Sequence, residues 1–454
     1  MINQSISRII THLGVRGGVM AFACVALSGC RDSLNKLLAV QAPGRVIADS
    51  LNGPRYAALL VQSAVTDFEC GFAAYVTAGG LFGDELADAT VNAPNWPTDR
   101  RDPTVQESTI STNTCDRGSN PRFAIYTAMQ IVRFEADDIA KKLEAWTDAQ
   151  VASRQSLLAT AYAYAGYAVL LLGESYCTMT IDLGPELTRA QTFAEAETRF
   201  TKALAAAKLA NSADITNMSL VGRARAKLDQ AIVAGAVTNA AKLSEAGADA
   251  QLVPSGFVKN ATYSASVTRR FNQVFNANNF LRAYTIEVPF RNLTHQGVAD
   301  PRVAITNTGL RGQDGITPVW TQGKYTSLAS SIPIARWAEA QLIIAEAKVN
   351  TGDLVGATSI INALHSLAGI PSYPGGTAAD VKQHLIQERR NELFLEGQHM
   401  GDLFRLSQPF FNPPGAPYPP KAGGAYGPTS CLPLPTVETS NNPNINRLDP
   451  VTRP

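Results

Sequence analysis

Charge is scarce in this 454-residue chain: 17% of residues are charged and the formal net charge is +1. That balance excludes a strongly basic nucleic-acid binder and provides no acidic tail. No two of the six cysteines stand at C-x-x-C spacing and the five histidines are scattered, so the sequence points to no metal centre. A G-x-S-x-G elbow, an H-E-x-x-H pair, a Walker loop and a dinucleotide fingerprint are all missing, and no cofactor is implied. A carboxylate pair could be assembled from Glu85 with Asp84 or Asp88, but nothing fixes a separation of about 5 or about 9 Å, as glycoside hydrolysis requires. The chain therefore reads as a non-enzyme. No stretch beyond the first thirty residues reads as apolar enough to span a bilayer.

What is present begins with a leader. Arg8 and Arg16 precede GVMAFACVALSGC, an apolar run too short to be a transmembrane helix and ending in small residues. Residues 1–29 read as a signal peptide. Leu27-Ser28-Gly29-Cys30 matches the lipobox of bacterial lipoproteins, in which cleavage precedes the cysteine and its thiol is acylated. Acyl chains contributing about 0.8 kcal/mol per buried methylene would hold the mature chain on a membrane. Cys70, Cys115, Cys177 and Cys431 then remain, an even number in an oxidising compartment, and three pairings are open to them.

Helical periodicity dominates the first half of the mature chain. Tyr56, Leu60, Ala64, Phe68 and Phe72 form a stripe within a helix from Arg45 to Gly80, and further helices are expected over Ile125–Trp146, Ser153–Gly173, Thr192–Ala210, Val221–Asp229 and Val233–Ala246. Pairs with small residues at their crossings, such as Ala163, Gly166 and Tyr167 against Ala196, Phe200 and Ala203, have tetratricopeptide character. Their unequal spacing predicts a mainly α, degenerate helical-repeat scaffold with long irregular loops and a few short strands. Residues 30–454 read as one domain: repeats over 30–250 with a loop insertion at 79–122, a loop and short-strand insertion at 251–331, a helical segment at 332–406 and an irregular tail at 407–454.

The 332–406 segment reads as three helical stretches, starting at Pro333, with a Thr377-x-x-Asp380 capping box opening the third. Glu388, Glu392 and Glu396 stand four residues apart, a like-charge column that weakens an isolated helix by a few tenths of a kcal/mol per pair, so cationic partners are expected. Arg389 reaching Glu392, and Arg336 or Arg405 arriving from elsewhere, are the candidates.

The linked runs ARWAEAQLIIAEAK, GD, IN-x-L and ERRNELFLEG followed by MGDLFR resemble the C-terminal signature of the SusD/RagB family of outer-membrane nutrient-uptake lipoproteins. Arg336, Glu339, Glu346, Glu388, Arg389, Glu392, Glu396, Gly397, Asp402 and Arg405 carry that signature, with His399 at the usual arginine position and Met400 at the neighbouring aromatic one. The resemblance implies a lipid-anchored protein exposed at the outer membrane. It further implies that the chain passes an oligosaccharide or another nutrient to a SusC-type TonB-dependent transporter.

Sugars offer C–H faces to aromatic rings and hydroxyls to amide, carboxylate and guanidinium groups. Asn95, Trp96 and Arg100 in the first insertion and Trp320, Gln322 and Tyr325 in the second fit that chemistry and are the candidate ligand contacts. The competing readings are an envelope scaffold that binds peptides or proteins and, more remotely, a polysaccharide hydrolase.

Overall fold

The computed structural model describes residues 51–91, 96–102, 113–115, 125–419 and 423–445. The leader, Cys30, Asn95 and most of the 103–124 stretch lie outside the described residues. From Pro54 onward the chain forms one structural unit. Helix α1 (Ala57–Phe82) is followed by strand β1 (Leu86–Asp88), then by α2 (Tyr126–Ala145), α3 (Arg154–Ser175), α4 (Arg189–Leu209), α5 (Ala213–Ala231) and α6 (Ala240–Gln251). Each helix packs on the next, α1 on α2 through α5 on α6, which is the stacked-pair arrangement of a tetratricopeptide-like scaffold.

The stack is tight because side chains are missing where helices cross. A Cβ on Gly222 of α5 would lie 2.4 Å from the Phe200 ring of α4, and one on Gly166 of α3 would lie 2.8 Å from the same ring. Phe200, fully buried, thus fills a socket that three helices share. Helix α3 is long and apolar enough to cross a membrane, which corrects the reading that no stretch beyond the leader qualifies. Its most apolar window is 83% buried against its neighbours, so it is the scaffold's core helix.

The 251–331 insertion contains β2 (Val258–Ala261), β3 (Tyr284–Ile286), a hairpin of β4 (Thr294–His295) and β5 (Val298–Ala299), and a second hairpin of β6 (Ile305–Arg311) and β7 (Pro318–Gln322). It closes on β8 (Ile332–Arg336), which pairs antiparallel with β2. Pro333 to Arg336 are therefore extended, not helical as expected from periodicity. Ile332 and Ile334 are branched and buried, and Pro333 has no N–H to give a helix. Helices α7 (Trp337–Asn350), α8 (Leu354–Ala368), α9 (Ala378–Glu392) and α10 (His399–Arg405) complete the signature, and α7 packs back onto α6. The third expected helix is really two. It breaks where Leu395 (φ 53°) and Gly397 (φ 86°) turn left-handed, and a Cβ on Gly397 would sit 2.9 Å from Tyr75.

Of the three possible pairings, the structure adopts Cys70–Cys115 and Cys177–Cys431. The second spans 254 residues and sits beside Cys177 N–H donating to Leu432 O at 2.9 Å and Leu432 N–H to Ser175 O at 2.8 Å, so the tail is strapped to the end of α3. Bridges of this kind contribute about 2–4 kcal/mol each.

Candidate functional site

Each carboxylate of the acidic column, Glu388 and Glu392 on α9 and Glu396 just beyond it, has a cationic partner. Arg302 reaches Glu388 at 2.5 Å, Glu392 at 2.8 Å and Asp300 at 2.7 Å, Arg336 reaches Glu392 at 2.6 Å and Glu396 at 2.8 Å, and Lys324 reaches Glu396 at 2.6 Å. Of the expected partners Arg336 is present. Arg389 instead pairs with Asp402 at 2.9 Å, and Arg405 with Glu346 at 2.5 Å. Arg225 of α5 grips Glu339 at 2.7 Å. Burial pushes the Glu392 carboxyl up, but Arg336 and Arg302 more than offset that and hold it below the ordinary carboxylate range. An ionised carboxylate locked between two guanidiniums braces the scaffold and has no proton to donate.

The two predicted ligand clusters fare differently. Trp96 is half-buried at the start of a helical turn, Trp96–Arg100, with its indole N–H donating to Thr90 O at 3.1 Å. Arg100 pairs with Asp102 at 2.8 Å and lies 5.9 Å from the Tyr418 ring centre. Trp320 is half-buried in β7, with the Arg291 guanidinium 5.1 Å from its ring centre. Gln322 and Tyr325, by contrast, are only 2% and 3% exposed. The Gln322 amide donates to Asn279 Oδ1 at 2.7 Å and to Tyr325 O at 2.9 Å, while the Tyr325 hydroxyl donates to Leu395 O at 2.9 Å. Both residues pin the loop to the signature and turn no polar atom toward a ligand.

One strand pair joins the remaining residues of the two clusters. β1 pairs antiparallel with β3, Ala87 opposite Thr285, and the Thr285 hydroxyl bridges to β7 by accepting from Trp320 N–H and donating to Pro318 O, both at 2.9 Å. Trp96, fastened to Thr90 just beyond β1, and Trp320 therefore flank one small sheet.

Beside it lies a cleft that neither cluster predicted, of about 280 Å³. Pro289, Phe290, Phe410 and Phe411 supply its apolar walls, with Phe411 47% exposed. Gln383, Gln387 and Arg390 of α9 supply the polar wall. The Arg390 guanidinium stacks 4.1 Å from the Phe290 ring centre and its buried Nε has no partner among the described residues. Burial lowers the affinity of Arg390 for its proton, and the nearby Glu85 and Asp84 charges oppose that shift. Positions 383, 387 and 390 recur at four and three residues, a polar column legible in the sequence on the side of the helix away from the buried Val381 and Leu385.

His399 lines the same cleft, edge-on to Phe290 at 5.7 Å, and burial pushes its ring down to about 3, so a neutral imidazole occupies the position where the family signature usually has arginine. Arg101, fully buried, joins cleft and Trp96 turn by pairing with Asp84 at 2.9 Å and stacking on Phe410 at 4.1 Å.

A family model described as the SusD family matches residues 262–449. Over that C-terminal stretch the chain is similar to the SusD family. Solved structures of similar fold include NanU of B. fragilis, at TM-score 0.65 and 16% identity over 89% of this chain and 98% of that one. A SusD-like carbohydrate binding protein from Bacteroides vulgatus matches at TM-score 0.63 and 16% identity, covering 87% and 98%. Surface glycan-binding protein A from Bacteroides uniformis matches at 0.64 and 14%, covering 86% and 98%. No curated protein matches the chain. The ion-paired signature lies within the matched stretch and holds the repeat stack to the insertion, and the cleft is formed where the insertion, α9 and the tail meet.

Proposed function

We propose that this SusD-like protein binds an oligosaccharide or a chemically similar nutrient in the cleft between Phe290, Phe411 and Arg390, without transforming it. The observation that carries this reading is the composition of the cleft. Exposed and stacked aromatic rings face a guanidinium and two side-chain amides, which suits the C–H faces and hydroxyls of a sugar ring. Trp96 and Trp320, flanking the adjacent strand pair, extend the platform for a longer chain. The similar structures of a carbohydrate binding protein and a surface glycan-binding protein support the same ligand class. Delivery to a SusC-type TonB-dependent transporter rests on the family signature, and a rigid helical stack suits it by offering one surface to ligand and another to a barrel.

Calorimetric titration of purified protein with a panel of polysaccharides tests this. Phe411→Ala and Arg390→Ala should each weaken binding roughly tenfold, about 1.4 kcal/mol. Loss confined to Trp96→Ala and Trp320→Ala would move the ligand onto the strand pair, and a panel bound by no variant differently from the parent would sink the binding reading. For the anchor, Cys30→Ser should abolish lipid labelling and shift the chain out of the membrane fraction; continued labelling would refute acylation at Cys30.

A further inference from the structure

Three of the five histidines, read as scattered in the sequence, converge. His365 near the end of α8, His384 on α9 and His295 in the β4–β5 hairpin have ring centres 4.6 to 5.5 Å apart. Glu388 stands one turn after His384 on the same face of α9. One nitrogen each from His365 and His384 and one oxygen of Glu388 lie within 4.8 Å of one another.

The hydrogen-bond pattern leaves these atoms unsatisfied in a specific way. His365 Nδ1 is 2.8 Å from Pro371 O, and a carbonyl only accepts, so Nδ1 carries the proton. In the neutral ring Nε2 then presents its lone pair to Glu388 Oε2 at 3.0 Å, two acceptors face to face, which requires a positive centre between or on them. His384 is held by Tyr373, stacked parallel at 3.8 Å, and its buried Nε2 has no partner among the described residues.

The surrounding charge also falls one cation short. Asp300, Glu388, Glu392 and Glu396 are four carboxylates, against Arg302, Arg336 and Lys324. Arg302 occupies Glu388 Oε1 at 2.5 Å and approaches Oε2 at 3.2 Å, so Oε2 is the oxygen with room for another partner.

We propose that His365 Nε2, His384 Nε2 and Glu388 Oε2 bind one divalent transition-metal ion of the zinc class, with His295 as the adjacent fourth donor. Two to three imidazoles and a carboxylate select zinc, cobalt, nickel or copper over calcium and magnesium, which prefer all-oxygen shells. The Nδ1–H of His365 on a backbone carbonyl is the outer-sphere support that fixes a ligating imidazole's tautomer. An ion between the three atoms lies within about 1 Å of the usual Zn–N distance, so small side-chain rotations complete the shell. The ion clips the β4–β5 hairpin onto the α8–α9 interface, where Gln296 already donates to Ser372 O at 2.9 Å. This site is separate from the cleft and its assignment does not depend on the ligand reading.

The test is titration of untagged, chelator-treated protein with zinc and cobalt chloride, followed by calorimetry and visible absorption. The expected result is about one equivalent bound at micromolar affinity or tighter, with a cobalt d–d band, and no comparable uptake of calcium or magnesium. His384→Ala and His365→Ala should each weaken zinc binding roughly tenfold or more, and Phe411→Ala should leave it unchanged. If the helix variants fail to fold by circular dichroism, His295→Ala on the hairpin should weaken binding in their place. Absence of stoichiometric uptake by the parent chain overturns the site and leaves a protonated His365 as the missing cation; uptake unchanged in the folded histidine variants overturns it equally.

Discussion

An Arg405→Ala variant will unfold about 3–5 kcal/mol more easily than the parent chain, the cost of breaking a buried ion pair from one side. The side chain is 2% exposed at the end of α10 and reaches three elements at once. Its nitrogens lie 2.5 Å from Glu346 on α7, 2.8 Å from Asp402 on α10 and 3.4 Å from Asp229 on α5. Removing it strands three carboxylates in low dielectric. Two effects limit the damage. Asp402 keeps Arg389 at 2.9 Å, and Asp229, pushed up to about 8 by burial and by the Glu174 charge, can remain protonated at neutral pH. Glu346 has no second cation among the described residues. Arg405→Lys should recover only part of the loss, because an ammonium is a point charge and cannot serve three partners around a planar fork. Urea denaturation at pH 7 measures the difference, and a loss below about 1 kcal/mol would show that the carboxylates relax by sharing protons. Glycan affinity of the folded fraction should not change, since the cleft walls do not use this guanidinium; loss of affinity without loss of fold would relocate the working site to the signature.

That separation between signature and site explains what was legible in the sequence. Local patterns were. The alanine-rich helices emerge close to their expected limits, Ile125–Trp146 as Tyr126–Ala145 and Ser153–Gly173 as Arg154–Ser175, because a 3.6-residue period is a property of neighbouring residues. Long-range partners were not. Arg302 meets Glu388 across 86 residues and Lys324 meets Glu396 across 72, and nothing in either local sequence marks it as the counter-charge. Polar residues next to aromatics in a loop were read as ligand contacts, but Gln322 satisfies the backbone of Tyr325, accepting from its N–H at 2.7 Å, and so plugs the loop it sits in. A side chain that completes a turn and one that greets a sugar have the same composition, and only burial separates them. Phe290 and Phe411 were passed over for the opposite reason: they lie 121 positions apart, and the cleft exists only once the insertion and the start of the tail meet against α9.

An Asp99→Asn variant will be more stable than the parent at alkaline pH and will lack part of the parent's pH dependence. Asp99 is 2% exposed in the turn that carries Trp96. Its Oδ2 accepts from the Tyr418 hydroxyl at 2.8 Å and from Asp88 N–H at 2.9 Å, bonds that an asparagine oxygen keeps. Burial, reinforced by the neighbouring Asp88 charge, pushes the Asp99 carboxyl up to about 8. The folded chain thus holds a proton there that the unfolded chain releases near pH 4, and where the unfolded state binds fewer protons stability falls as pH rises. From this one group the parent loses up to ~1.4 kcal/mol per pH unit between about pH 4 and pH 8, and no more above that. Glu85, raised to about 7 by burial, tilts the curve the same way and stays in the variant. Asp402 acts in the opposite sense. Burial raises it, but Arg389 and Arg405 pull it down to about 2, so its contribution is complete above about pH 4 and is lost only as pH falls toward 2. Denaturation at pH 5, 7 and 9 should therefore give a shallower decline for the variant than for the parent. Parallel curves would mean that Asp99 is ionised in the folded protein and that the Trp96 turn is held by charge, with Arg100 and Arg101 as its counter-ions.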